Sequence, residues 1–156
     1  MGWLDGKVAV AVDGSAPSQE AVRYGAELAS RLGVSLVLLH VLEQYGTGYW
    51  RFIDEHFRKE LEKRADELML EGRRLAAPYN LSVESRIIPG TEVSAYEAIA
   101  EYLQNNPGVS HLVMGDHGAG LSERHVLGST TERVIREVPH RGLPVAVVVV
   151  PARDKS

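Results

Sequence analysis

The sequence predicts an α/β domain: an open, parallel, five-stranded sheet with helices on both faces. Three observations lead there. Five short runs are apolar along most of their length, as strands buried on both faces are. Between them lie longer segments whose apolar residues recur with the period of an amphipathic helix. The resulting order, βαβαβαβαβ, runs on with no repeat, linker or low-complexity tract, so one domain of 156 residues is expected, with its core at about 7–150.

Lys7 to Val12 (KVAVAV) is a β-branched apolar run, closed by the turn-forming Asp13-Gly14-Ser15-Ala16-Pro17. Ser18 is the expected N-cap of the helix that follows. Its stripe is Ala21, Val22, Gly25, Ala26, Leu28, Ala29 and Leu32, and Gly33 stops it. Val34 to Leu42 is the second strand. After the glycine-bearing stretch Tyr45 to Tyr49, a long helix is expected from about Arg51 to Ala77. Its inward stripe is Ile53, Phe57, Leu61, Ala65, Leu68, Met69 and Leu75. On its outer face Asp54/Arg58, Glu55/Lys59 and Glu60/Arg64 stand at i, i+4, a spacing that stabilises a helix by a few tenths of a kcal/mol per pair.

Pro78 ends that helix. Leu81 to Ile88 alternates in part and reads as a strand with one solvated face. Pro89-Gly90 is a turn, and Glu92 to Gln104 is a helix with Val93, Tyr96, Ala98, Ile99 and Leu103 inward. Val109 to Met114 is the fourth strand, followed by a glycine-bearing loop from Gly115 to Gly128. A helix from about Ser129 to Glu137 and a last strand, Pro144 to Val150, complete the pattern. Pro151 to Ser156 is a polar tail.

Composition narrows the function. Hydrophobic residues make up 44% and charged residues 24%, which is ordinary for a globular chain. Seventeen Lys and Arg against 21 Asp and Glu give a formal charge of −4, without the field of a non-specific nucleic-acid binder. The chain has no cysteine, which excludes disulfide scaffolds, thiolate metal sites and cysteine nucleophiles and fits a reducing compartment. No cationic leader is seen, and the longest strongly apolar run, Val145 to Val150, falls far short of the roughly 20 residues that span a bilayer. A soluble, cytoplasmic protein with no membrane or nucleic-acid partner is expected.

Open α/β sheets bind ligands outside the carboxyl ends of their strands, where the strand order reverses. Two loops fit that position: Val12-Asp13-Gly14-Ser15 after strand one, and Gly115 to Ser129 after strand four. Glycine permits positive φ and close approach to a ligand. Gly128-Ser129-Thr130 opens a helix, where free N–H groups, the dipole and two hydroxyls favour a phosphate. From the glycines alone, phosphate binding and a plain loop with an ordinary N-cap stand about equal. There is no G-x-x-x-x-G-K-[ST], and the dinucleotide fingerprint is missing after the first strand. The six histidines, His40, His56, His111, His117, His125 and His140, lack metal-ligand spacing. His40 and His111 lie in apolar strands as core or near-core residues, whereas His117 and His125 lie in the loop. No G-x-S-x-G and no assignable Ser/His/Asp set is found, so no catalytic residue is expected.

At these residues the chain resembles the universal stress proteins. Their nucleotide-binding members carry G-x2-G-x9-G-[ST], matched by Gly115, Gly118, Gly128 and Ser129. The opening Val-Ala-Val-Asp-Gly-Ser, the second strand ending Leu-Leu-His40-Val41 and the closing Pro-Val-Ala-Val-Val-Val are similar too, so the likeness covers roughly residues 7 to 150. The resemblance implies a Rossmann-like sheet, of the adenine nucleotide alpha hydrolase type, with strand order 3-2-1-4-5. It implies an ATP site formed by Val12, Asp13, Val41, Met114, Gly115, Gly118, Gly128, Ser129 and Thr130. Asp13 would meet the ribose or base, the Val41 backbone the adenine edge, and the glycines with Ser129 and Thr130 the ribose and phosphates. The cofactor would be ATP with or without Mg²⁺, with AMP or ADP as alternatives. The chain departs from the family where a basic residue often follows the second glycine, here Ala119. Asp116 and Glu123 lie in the loop, and Arg124 is its only formal cation.

The implied strand order puts the last strand at a sheet edge although Val145 to Val150 is apolar throughout, and long apolar edges tend to pair. A homodimer through this strand is expected, as in family members; cover by the tail is the alternative. The leading reading is a dimeric, nucleotide-dependent stress-response or regulatory module with at most slow hydrolysis. The rivals are a true ATPase or nucleotide-processing enzyme in the same crevice, and an interaction protein that binds no nucleotide.

Overall fold

Alternation within the strands determines the layers. In β1 (Lys7–Ala11) Val8 and Val10 face one side and Ala9 the other, and all three are fully buried. The structure, a computed structural model, describes residues 2–42, 55–89, 93–118 and 127–152. In chain order the further elements are α1 (Ala16–Leu32), β2 (Leu36–Leu42), α2 (Glu55–Ala76), β3 (Val83–Pro89), α3 (Ala95–Asn105), β4 (Val109–Gly115), α4 (Ser129–His140) and β5 (Ala146–Val150). A short 3₁₀ turn, Ala77–Tyr79, follows α2.

All strand pairs are parallel, and the sheet order is β3-β2-β1-β4-β5. The chain therefore builds outward from β1 in one direction and then in the other. The connections diverge between β1 and β4, and a crevice opens at their carboxyl ends. On one face Val8, Val10, Leu36, Leu38 and Val113 pack against Ala21, Val22, Ala26 and Ala29 of α1 and Leu68, Met69 and Ala76 of α2. On the other, Ala9, Val37, Leu39, Leu112 and Met114 meet Ile99 and Leu103 of α3 and Val134 and Val138 of α4. Fully burying one such aliphatic side chain contributes about 1.5–3 kcal/mol, so these two layers dominate the stability.

Several boundaries differ from expectation for local reasons. The N-cap of α1 is Ser15, with Ser18 inside the helix. Pro17 lacks an N–H and suits the first turn, which moves the start three residues earlier. Within α2, Phe57 is 40% exposed, while Gly72 and Ala76 are buried. The expected Glu55/Lys59 and Glu60/Arg64 pairs do not form among the described residues: Glu60 meets His56 at 3.4 Å, and Glu62 meets Arg58 at 3.5 Å. Ile53 and Asp54 lie outside the described residues, as do Glu92 and the tail beyond residue 152. Helix α4 continues past Glu137 through Pro139 to His140, since a proline in the last turn removes only one backbone bond. The last strand begins at Ala146 rather than Pro144.

The edge strand β3 has no fully buried residue, in keeping with its partly alternating sequence. At the opposite edge, every residue of β5 is half-buried. Among the described residues no helix is long and apolar enough to cross a membrane.

Candidate functional site

The turn after β1 is tied together by its own side chains. Asp13 Oδ1 accepts from the Ser15 amide at 2.9 Å and from Ser15 Oγ at 2.6 Å. Ser15 Oγ in turn accepts from the Ser18 amide at 3.2 Å, and Ser18 Oγ accepts from the Asp13 amide at 3.0 Å. Gly14 has φ +84°, a left-handed conformation that glycine tolerates. Helix α2 packs on this turn: a Cβ added at Gly14 would lie 2.7 Å from Leu68 Cδ2 and 3.2 Å from Arg64 Nη2. The other carboxylate oxygen of Asp13 faces across the crevice, 2.7 Å from where a Cβ on Gly118 would be.

The end of β4 is built differently. The Asp116 amide donates to Val150 O at 3.0 Å, and the Gly128 amide donates to Asp116 O at 2.8 Å, which closes the base of the loop. Thr131 Oγ1 donates to Gly115 O at 2.9 Å and fixes α4 to the strand. Gly128 is the N-cap, with φ −60° and ψ 150°, and among the described residues no side chain caps the helix. The amides of Ser129, Thr130 and Thr131 therefore have no partner within α4. Ser129 is exposed and Thr130 half-buried.

Gly115, Gly118 and Gly128 all lie outside the left-handed region. Close approach explains them instead. A Cβ at Gly115 would stand 2.6 Å from Pro17 Cβ and 2.9 Å from Pro17 C, and one at Gly128 would stand 3.0 Å from His117 Cα. The first lets α1 pack on β4; the second lets the loop base close on the start of α4. His117 Nδ1 lies 2.8 Å from Asp116 Oδ1, at ion-pair distance but off the hydrogen-bonding direction, so neither atom makes a well-formed hydrogen bond.

At the β2 end, His40 Nδ1 lies 2.7 Å from Val12 O and ties the two strand ends together. Val41 and Leu42 follow, and with Leu61, Leu68 and Ile99 they give apolar lining to a cleft of about 740 Å³. The structure brings all nine residues implied at the sequence level to this one cleft: Val12, Asp13, Val41, Met114, Gly115, Gly118, Gly128, Ser129 and Thr130. Ala119, Glu123, Arg124 and His125 lie outside the described residues.

Sequence reasoning missed the wall that α2 supplies. The sequence reads Leu61 and Leu68 as inward-facing, and Leu68 is indeed core, but that reading does not place both on the cleft beside Arg64, which reads as a partner of Glu60. Yet residues 61, 64 and 68 share one helical face, and that spacing was the available signal. Asp13 and Arg64 are the formally charged residues among the described lining residues. His111 is buried away from the cleft beside Ser110 Oγ at 2.9 Å, and burial pushes its pKa below the usual imidazole range. Among the described residues no group of three or more His, Asp or Glu could hold a metal ion.

The family model described as the universal stress protein family matches residues 6–150. The chain belongs to that family. A putative universal stress protein of Staphylococcus haemolyticus is 24% identical over 145 residues, covering 92% of this chain and 86% of its own. The solved universal stress protein UspA of Lactobacillus plantarum superposes with a TM-score of 0.79 at 22% identity, over 94% of this chain and 97% of that one. A universal stress protein in complex with cAMP superposes at 0.67, with 19% identity and coverage of 95% and 98%. One from Archaeoglobus fulgidus in complex with dAMP superposes at 0.62, with 18% identity and coverage of 92% and 96%. At such identities the structural likeness establishes the shared fold. In this universal stress protein the cleft lies at the switch point of that fold, between the ends of β1 and β4.

Proposed function

We propose that the cleft binds ATP and that the protein works in the cytoplasm as a homodimeric, nucleotide-dependent stress-response or regulatory module, with at most slow hydrolysis. The uncapped N-terminus of α4 carries this reading. Three amides without helical partners, with the hydroxyls of Ser129 and Thr130, open into a cleft large enough for a nucleotide. Related structures in complex with cAMP and dAMP support an adenine nucleotide as the ligand class.

In this reading the adenine lies against the apolar lining, with its edge on the Val41 backbone and Val12 and Met114 beside it. Asp13, whose outward carboxylate oxygen faces Gly118, meets the ribose. Gly115 offers its backbone and Gly118 leaves room for the ligand opposite Asp13, and Gly128, Ser129 and Thr130 hold the phosphates. Neutral donors do most of this binding, which suits a chain of net charge −4. Mg²⁺, where present, accompanies the phosphates; AMP and ADP use the same donors with less charge. A base held over the terminal phosphate is not assignable among the described lining residues, hence the slow hydrolysis. Pairing of the half-buried β5 edges, Val145 to Val150, gives the dimer.

Two measurements test the proposal. Gentle purification, denaturation and mass spectrometry of the released small molecules should reveal an adenine nucleotide. Calorimetric titration with ATP and Mg²⁺ should give a dissociation constant below about 1 mM; no binding at millimolar ligand overturns it. Product formation at turnover rates, lost on changing Ser129, would make the protein an enzyme instead.

A further inference from the structure

Helix α2 presents Leu61, Arg64 and Leu68 to the cleft. Residues at i, i+3 and i+7 share one face, so the arginine is carried between two leucines that form the wall. The residue is exposed, and its guanidinium reaches the Asp13-Gly14 turn, with Nη2 3.2 Å from the Cβ position of Gly14. Arg23, Arg31, Arg58, Arg74, Arg136 and Arg141 each pair with a carboxylate three or four positions away. Arg64 has no ion-pair partner among the described residues, and Glu60, one turn earlier, is turned to His56.

Charge within the cleft gives this unpaired guanidinium a role. Asp13 by itself would set a negative potential where an anionic ligand must enter, and the described start of α4 presents neutral amides and hydroxyls. Arg64 offsets Asp13 from the α2 side of the sheet, while the open amides of α4 act from the opposite side. A guanidinium is always charged and its planar fork matches phosphate geometry.

We infer that Arg64 is the residue by which the cleft selects a phosphorylated nucleoside over a neutral one. This rests on the nucleotide-binding reading above and names the residue that sets its selectivity. Without Arg64 the apolar lining still accepts a nucleoside, and what is lost is the preference for the phosphorylated form.

The test is calorimetry with ATP, AMP and adenosine on the full chain, comparing wild type, Arg64→Gln and Arg64→Lys at low and physiological salt. Glutamine matches arginine in helix propensity and the residue is exposed, so the variant should fold. Arg64→Gln should weaken ATP about tenfold while changing adenosine less than about twofold, and should flatten the salt dependence of ATP binding. Arg64→Lys should recover part of the loss. Equal weakening of ATP and adenosine, or unchanged ATP binding, overturns the inference. Wild type that binds ATP and adenosine equally overturns the selectivity and leaves the nucleotide site standing. Wild type that binds none of the three removes the nucleotide reading, and the inference with it.

Discussion

Two helices begin at the same end of the sheet, and they begin in opposite ways. The start of α1 is closed by Ser15, Asp13 and Ser18, whose hydrogen bonds satisfy one another within six residues. The start of α4 has a glycine cap and, among the described residues, no capping side chain. Both have a positive dipole end beside the cleft. A helix N-terminus at the right edge of a sheet is therefore not yet a binding site; whether its donors are already satisfied decides that. The α1 terminus positions Asp13, and the α4 terminus is free to hold a ligand.

Giving α4 the closed start of α1 should have the largest effect. Gly128→Asp places a carboxylate cap on the open amides and crowds His117 Cα, 3.0 Å from the new Cβ. ATP affinity by calorimetry should fall on the order of a hundredfold, with a loss of stability of about 1–2 kcal/mol, because the crowding of backbone outweighs the gain from a carboxylate cap. The next variant separates packing from binding. In Gly115→Ala the new methyl would stand 2.9 Å from the Pro17 backbone, which cannot yield easily. Urea unfolding should show a loss of about 1–3 kcal/mol. Opening the α1 terminus comes third: Ser15→Ala should cost about 1 kcal/mol in the same assay. ATP affinity should change less than threefold, since this terminus presents no amides to the ligand.

The smallest effect concerns pH and belongs to β4 rather than the cleft. Burial lowers the pKa of His111, so the unfolded chain binds a proton more readily than the folded one. The stability this histidine permits is complete above the unfolded value of about 6.5 and is lost as the pH falls through it. Melting temperature should drop between pH 7.5 and 5.5, and His111→Gln should reduce that slope. A slope unchanged in the variant would move the pH dependence elsewhere.

Much of this was legible in the chain. Continuous apolar runs such as Val34 to Leu42 and the stripe of α1 specify a parallel sheet covered on both faces. The resemblance supplied the strand order, and the glycine spacing after β4 drew attention to α4. Three features were harder to read. Ser15 and Ser18 are both good caps, and the choice between them depends on where Pro17 falls in the first turn. The sequence offers positive φ or close approach to a ligand as reasons for the motif glycines, whereas Gly115 and Gly128 are crowded by protein neighbours distant in sequence, Pro17 and His117. Arg64 reads as the partner of Glu60 because their spacing suits a salt bridge, yet Glu60 meets His56 and the exposed arginine lines the cleft. Packing of Leu68 on the β1 turn outweighs such a pair, which is worth only tenths of a kcal/mol.

The central claim is that ligand phosphates sit on the open amides of α4. Backbone amide NMR during titration with ATP tests it most directly. The account predicts saturable shifts that are largest at Ser129 and Thr130 and small at Ser15 and Ser18. Shifts centred on the start of α1, or none at either helix with millimolar ATP, would contradict it.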